Sequence, residues 1–111
     1  MNKLKLADWV VYKSGWGHDA PCLVKIVNMD ITEEPREKYG TEVEEADIDL
    51  VRENRVLFCF SNGHWGYSDQ VCIEDTIKAN ELKDAPVKDL PLYVGTIFET
   101  IAEERLRRKY E

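Results

Sequence analysis

The chain has 111 residues, 43% hydrophobic and 10% aromatic, with 22 acids against 15 bases and a formal net charge of −7. That balance fits one folded domain and excludes a disordered or collagen-like chain; an acidic excess without a basic patch argues against direct nucleic-acid binding. No apolar run reaches the roughly 18–20 residues that span a bilayer, and MNKLKLADWV lacks a signal-peptide core, so a cytoplasmic protein without membrane contact is expected.

Residues 7–13 (ADWVVYK) read as a first strand, with Trp9 and Val11 on one face and Val10 and Tyr12 on the other. Residues 14–21 (SGWGHDAP) supply turn chemistry, and 22–29 (CLVKIVNM) read as a second strand with Cys22, Val24 and Ile26 opposite Leu23, Lys25 and Val27. The segment 30–53 then breaks the strand pattern. It holds ten acids against Arg36, Lys38 and Arg52, so it carries the whole negative excess, and the rest of the chain is balanced. Pro35, Gly40 and the charge density predict a long insertion with a short strand or helical turn around 43–51.

Residues 55–74 (RVLFCFSNGHWGYSDQVCIE) read as a β-hairpin over about 55–61 and 64–69, followed by a short strand at 71–74. Asn62-Gly63 is the favoured centre of a type I′ turn, whose two positive φ angles match strand twist. Pro86 and Pro91 mark 78–93 as a linker. In 94–110, Val94, Ile97, Phe98, Ile101 and Arg105 recur at helical spacing, and the basic final turn suits a helix C-terminus. A small barrel alone buries little apolar surface, so this helix is expected to pack on it.

Little in the chain points to catalysis. Cys22, Cys59 and Cys72 form an odd set without CxxC spacing, which predicts reduced thiols in apolar surroundings. His18, Cys22, Cys59 and His64 are the residue types of a zinc site, but their spacing is poor for one. Ser68, Asp69 and His64 are close in sequence, yet strand alternation separates their faces and no nucleophile elbow surrounds Ser68. No glycine-rich phosphate loop precedes a helix. The expectation is a non-enzymatic protein with no cofactor and no metal.

Asp8-Trp-Val-Val-Tyr12, Cys22-Leu-Val-Lys-Ile26, Val56-Leu-Phe-Cys-Phe-Ser-Asn-Gly63 and Trp65-Gly-Tyr67 together resemble the SH3-like small barrels, with Tudor and KOW-type domains the closest pattern. The resemblance covers about residues 5–75. It implies a mainly β protein: a barrel domain over 1–77 with its acidic insertion at about 30–53, a linker at 78–93, and a helix at 94–110 packed on the barrel. In Tudor-like domains, loop aromatics form a cage that holds a cationic methylated side chain by cation–π attraction. By that resemblance Trp16 and Trp65 lie on loop rims, with Tyr67 and Tyr12 as walls; the competing assignment for these rings is the core.

Glu42, Glu44, Glu45, Asp47 and Asp49 would steer a partner with a basic surface, or merely solvate the insertion. The chain therefore reads as a protein-binding adaptor or regulator that uses rim aromatics and an acidic loop. Its size and charge are also similar to phage inhibitors of host nucleases and to bacterial immunity proteins. The alternative is accordingly an acidic inhibitor that mimics nucleic acid or blocks a basic active site. Partner identity and oligomeric state are not legible.

Overall fold

The computed structural model of the chain describes residues 2–13, 21–32, 41–53 and 55–108. In chain order the elements are β1 (Lys3–Lys5), β2 (Trp9–Tyr12), β3 (Cys22–Ile31), β4 (Thr41–Val43), β5 (Glu45–Asp47) and α1 (Ile48–Arg52). There follow β6 (Val56–Phe60), β7 (Trp65–Tyr67), α2 (Ile73–Glu81) and α3 (Glu99–Arg108), with 3-10 turns at Ser68–Gln70 and Val87–Tyr93. Every strand pairing is antiparallel. β2, β3, β6 and β7 form a sheet in that order, and β4 adds to the far half of β3; β1 and β5 make a separate ribbon.

Strand β2 explains the layering. All four of its side chains are buried, because both faces of the sheet are covered at this end. Val10 and Tyr12 join Val24, Ile26, Phe58 and Phe60 in a core closed by the β1–β5 ribbon and α1, through Leu4, Ala46, Ile48 and Val51. Trp9 and Val11 face the other way and pack with Ala79, Leu82, Phe98 and Ile101 beneath α2 and α3. Strand β3 keeps its inward set with a bulge. The register slips between Ile26 and Asn28, leaving Val27 exposed and returning Met29 to the core. One extra residue inverts the parity of everything after it, so strict alternation from Cys22 would have pointed Asn28 inward.

Several expectations are corrected. Helix and strand take comparable shares of the described residues, so the fold is α+β rather than mainly β. The sheet is not a closed barrel: Val71 meets Tyr12 only as an isolated bridge, with no strand at 71–74. What occupies the β2 edge instead is α2. Asn80 accepts the Trp9 N–H through Oδ1 at 2.9 Å and donates Nδ2 to the Trp9 carbonyl at 2.9 Å. Thr76 Oγ1, one turn earlier, accepts the Val11 N–H at 3.0 Å. The Cys72 N–H donates to the Val11 carbonyl at 2.7 Å. Two side chains at i and i+4 thus satisfy the donors a neighbouring strand would have paired, which blunts the edge.

The 78–93 stretch, expected as a linker, holds the last turn of α2 and the Val87–Tyr93 3-10 turn, with Leu82 and Leu90 buried. The C-terminal helix begins at Glu99 rather than near 94 and leaves Val94 half exposed, while Phe98 and Ile101 are buried as its spacing predicts. Arg105 donates to the carbonyls of Leu82 and Ala85, tying α3 to the end of α2.

The hairpin turn is also different in kind. Phe60 accepts the Gly63 N–H at 3.0 Å and donates its own N–H to the His64 carbonyl at 2.8 Å. Gly63 has φ +84°, and Asn62 is not among the residues of positive φ. This is a three-residue loop with glycine in the bulge position, not a two-residue type I′ turn. Asn62 instead uses its side chain, whose Oδ1 accepts the His64 N–H at 3.0 Å.

Candidate functional site

The registers of β4, β3, β6 and β7 bring two acids, Asp30 and Glu42, and two aromatics, Trp65 and Tyr67, onto one sheet face. Asp30 is opposite Glu42 on one side and Leu57 on the other, and Leu57 is opposite Tyr67. The neighbouring row is Asn28, Cys59 and Trp65. Directly paired residues share a face, and Val43, Met29 and Phe58 point to the core, so these two rows point away from it. Helices α2 and α3 cover the same face only at its β2 end.

Trp65 is the most exposed of the described aromatics in the sheet, at 64%, and meets Tyr67 edge to face at 6.0 Å and 85°. The Tyr67 N–H is held by Gln70 Oε1 at 2.9 Å, which fixes the strand end that carries both rings. At strand spacings of about 4.8 Å, Asp30 lies two strands, about 10 Å, from Tyr67.

Asp30 and Glu42 are like charges in direct cross-strand register, an arrangement that is itself unfavourable. No ion pair joins either of them to a base among the described residues. In the sequence Asp30 is one acid among the ten of segment 30–53. Register was the missing information, since nothing local in the sequence tells which acids share a face with Trp65.

The other expected site residues are distributed differently. Tyr12 is a core residue, 2% exposed, stacked on Phe60 at 4.3 Å; its hydroxyl lies 2.7 Å from His64 Nδ1 and accepts from Asn62 Nδ2 at 3.0 Å. It supports the hairpin tip and is not a cage wall. Glu45 and Asp47 sit on β5 opposite Lys5 and Lys3, and Lys3 Nζ reaches Glu45 Oε1 at 3.0 Å. That hydrogen bond, with the nearby charges of Glu45 and Asp47, holds the Lys3 ammonium pKa above the usual lysine value. Glu44 lies between β4 and β5 and Asp49 in the first turn of α1, both exposed. Of the five carboxylates, only Glu42 shares the aromatic face. Trp16 and His18 lie outside the described residues.

Ser68 is buried with its hydroxyl spent on the Val56 backbone, donating to the carbonyl and accepting the N–H, each at 2.9 Å. Burial pushes the Cys72 thiol above its ordinary pKa, away from the thiolate form. Among the described residues no group of three or more His, Cys, Asp and Glu side chains is placed to hold a metal ion, and no helix is long and apolar enough to cross a membrane. Comparison of the chain with family models, curated proteins and solved structures returns no match.

Proposed function

We propose that this chain is a non-catalytic protein-binding module, an adaptor or regulator, which grips a basic segment of a protein partner across the face bearing Trp65, Tyr67, Asp30 and Glu42. The observation that carries the reading is the in-register Asp30–Glu42 pair on the same sheet face as an exposed Trp65, two strands away from Asp30. A lysine or arginine from a partner relieves the repulsion between the two carboxylates, and the indole face offers cation–π attraction within the same footprint. A strand-borne site of this kind is rigid, so little ordering is lost on binding. The SH3-like likeness stays part of the proposal. What supports it is a four-strand antiparallel sheet, β2-β3-β6-β7, whose chain returns after a 3-10 turn to bridge Val71 with Tyr12 in the sheet's first strand.

The test is titration of the full chain with an arginine- and lysine-rich peptide, with affinity read by calorimetry in every variant and the Trp65 indole N–H signal locating the site in the wild type. Trp65→Ala, and Asp30→Asn combined with Glu42→Gln, are each expected to weaken binding about tenfold, and added salt should weaken the wild type further. Binding that survives both changes but is lost on neutralising Glu44, Glu45, Asp47 and Asp49 would move the acidic-inhibitor reading ahead.

A further inference from the structure

A second site lies on the opposite end of the sheet, where Ala7, β2, β3, the 83–87 segment and α3 enclose a groove of about 560 Å³. Its apolar surface is offered by Ala7 and Val87, with Trp9 and Ile101, 8% and 2% exposed, forming the floor beneath. Its charged lining is Lys25, Lys83, Arg105 and Arg108 against one carboxylate, Glu104. On a chain of net charge −7, four cations converging on one concavity are the reverse of the overall electrostatics.

Glu104 and Asp8 offset two of the four positive charges, and the other two are not cancelled nearby. Lys83 is ion-paired, its Nζ 2.6 Å from Asp8 Oδ1. Lys25 Nζ instead lies over the Trp9 ring, 4.6 Å from its centroid, which orients the ammonium without neutralising it. Arg105 donates to two backbone carbonyls, which carry no net charge. Neither Lys25, Arg105 nor Arg108 has a carboxylate partner among the described residues. A concavity of this volume, part apolar and part ringed by a few convergent charges, has the make-up of a small-molecule pocket.

We propose that this groove binds a small organic anion, a phosphate or carboxylate carried on a flat apolar body. The body lies against Ala7 and Val87, above the buried Trp9 and Ile101, and the anionic group meets Lys25 and Arg108, the two cations without a hydrogen-bonded or ionic partner among the described residues. Arg105 adds positive potential from the rear. Glu104 opposes the ligand and sets a sign test: removing it strengthens binding, whereas removing Lys25 or Arg108 weakens it. The site is independent of the Trp65 face and does not rest on that reading.

The experiment is an NMR titration of the full chain with naphthyl phosphate, naphthoate, naphthol and inorganic phosphate, following the Trp9 indole N–H and the Ile101 methyl groups. Saturable shifts are expected with the two naphthyl anions, with naphthol and inorganic phosphate each at least about tenfold weaker. Tighter binding of naphthyl phosphate than naphthoate assigns the preference to a phosphate, and the converse to a carboxylate. Lys25→Gln and Arg108→Gln are each expected to lower affinity about threefold to tenfold, and Glu104→Gln to raise it. The proposal is overturned if naphthol binds as well as the anions, if the groove signals do not saturate, or if the three substitutions leave affinity unchanged.

Discussion

Ala7 adopts φ 72°, the left-handed region, in the turn that joins β1 to β2. The Asp8 N–H donates to the Lys5 carbonyl at 3.1 Å, and Asp8 Oδ2 accepts the Lys5 N–H at 2.9 Å, closing the turn from both sides. The Ala7 N–H is committed to the Ile26 carbonyl at 2.8 Å, so the residue cannot relax to negative φ without losing contact with β3. A left-handed alanine costs about 1–2 kcal/mol, partly offset in glycine by the greater freedom of the unfolded chain. Ala7→Gly is therefore expected to stabilise the fold by about 0.5–1 kcal/mol in urea denaturation; a loss of stability would show that the alanine methyl contributes packing worth more than the strain. Nothing in the sequence flags this position, because alanine carries none of the composition cues of a turn. Trp65 illustrates the same limit. Its place beside a glycine-containing loop was readable, but its 64% exposure was settled by how far α2 and α3 reach across the sheet.

At the level of elements, the clearest dependence is of β2 on α2. Asn80→Ala removes the acceptor for the Trp9 N–H and the donor to its carbonyl at a site 6% exposed, and is expected to cost about 2 kcal/mol. Urea denaturation measures it, and a change of only a few tenths would mean that water replaces the amide at that edge. The strands of the hairpin, the two-faced first strand and the α3 core residues Phe98 and Ile101 were legible, because each depends on periodicity or turn chemistry within a few residues. Helix α2 was not. Its most buried residues are Thr76, Ala79 and Asn80, two of them polar, so hydrophobicity does not mark them as inward-facing, and both polar ones are there to hydrogen-bond a strand more than 60 residues away. The closing strand expected at 71–74 failed for the same reason: the edge it would have paired was already occupied by side chains.

Across the whole molecule, charge is segregated into an acid–aromatic face, a ribbon where lysines oppose acids, and a groove lined mostly by cations. The exposed ion pairs contribute little, so the net charge of −7 acts mainly as self-repulsion. Raising sodium chloride from about 50 to 200 mM is expected to increase the urea midpoint modestly, by screening that repulsion. A falling midpoint would show that pairs such as Lys3–Glu45 and Lys83–Asp8 outweigh it. The sequence by itself determined the total charge, the hairpin location and the alternation that makes β2 two-faced, since these follow from composition and from contacts between near neighbours. Only the tertiary structure decided that Asp30 and Glu42 join Trp65 and Tyr67 while Glu45 and Asp47 turn to β1, and that Lys25, Arg105 and Arg108 converge. Those groupings depend on strand register and on the bulge at Val27, where one residue of slip exchanges the two faces of a sheet.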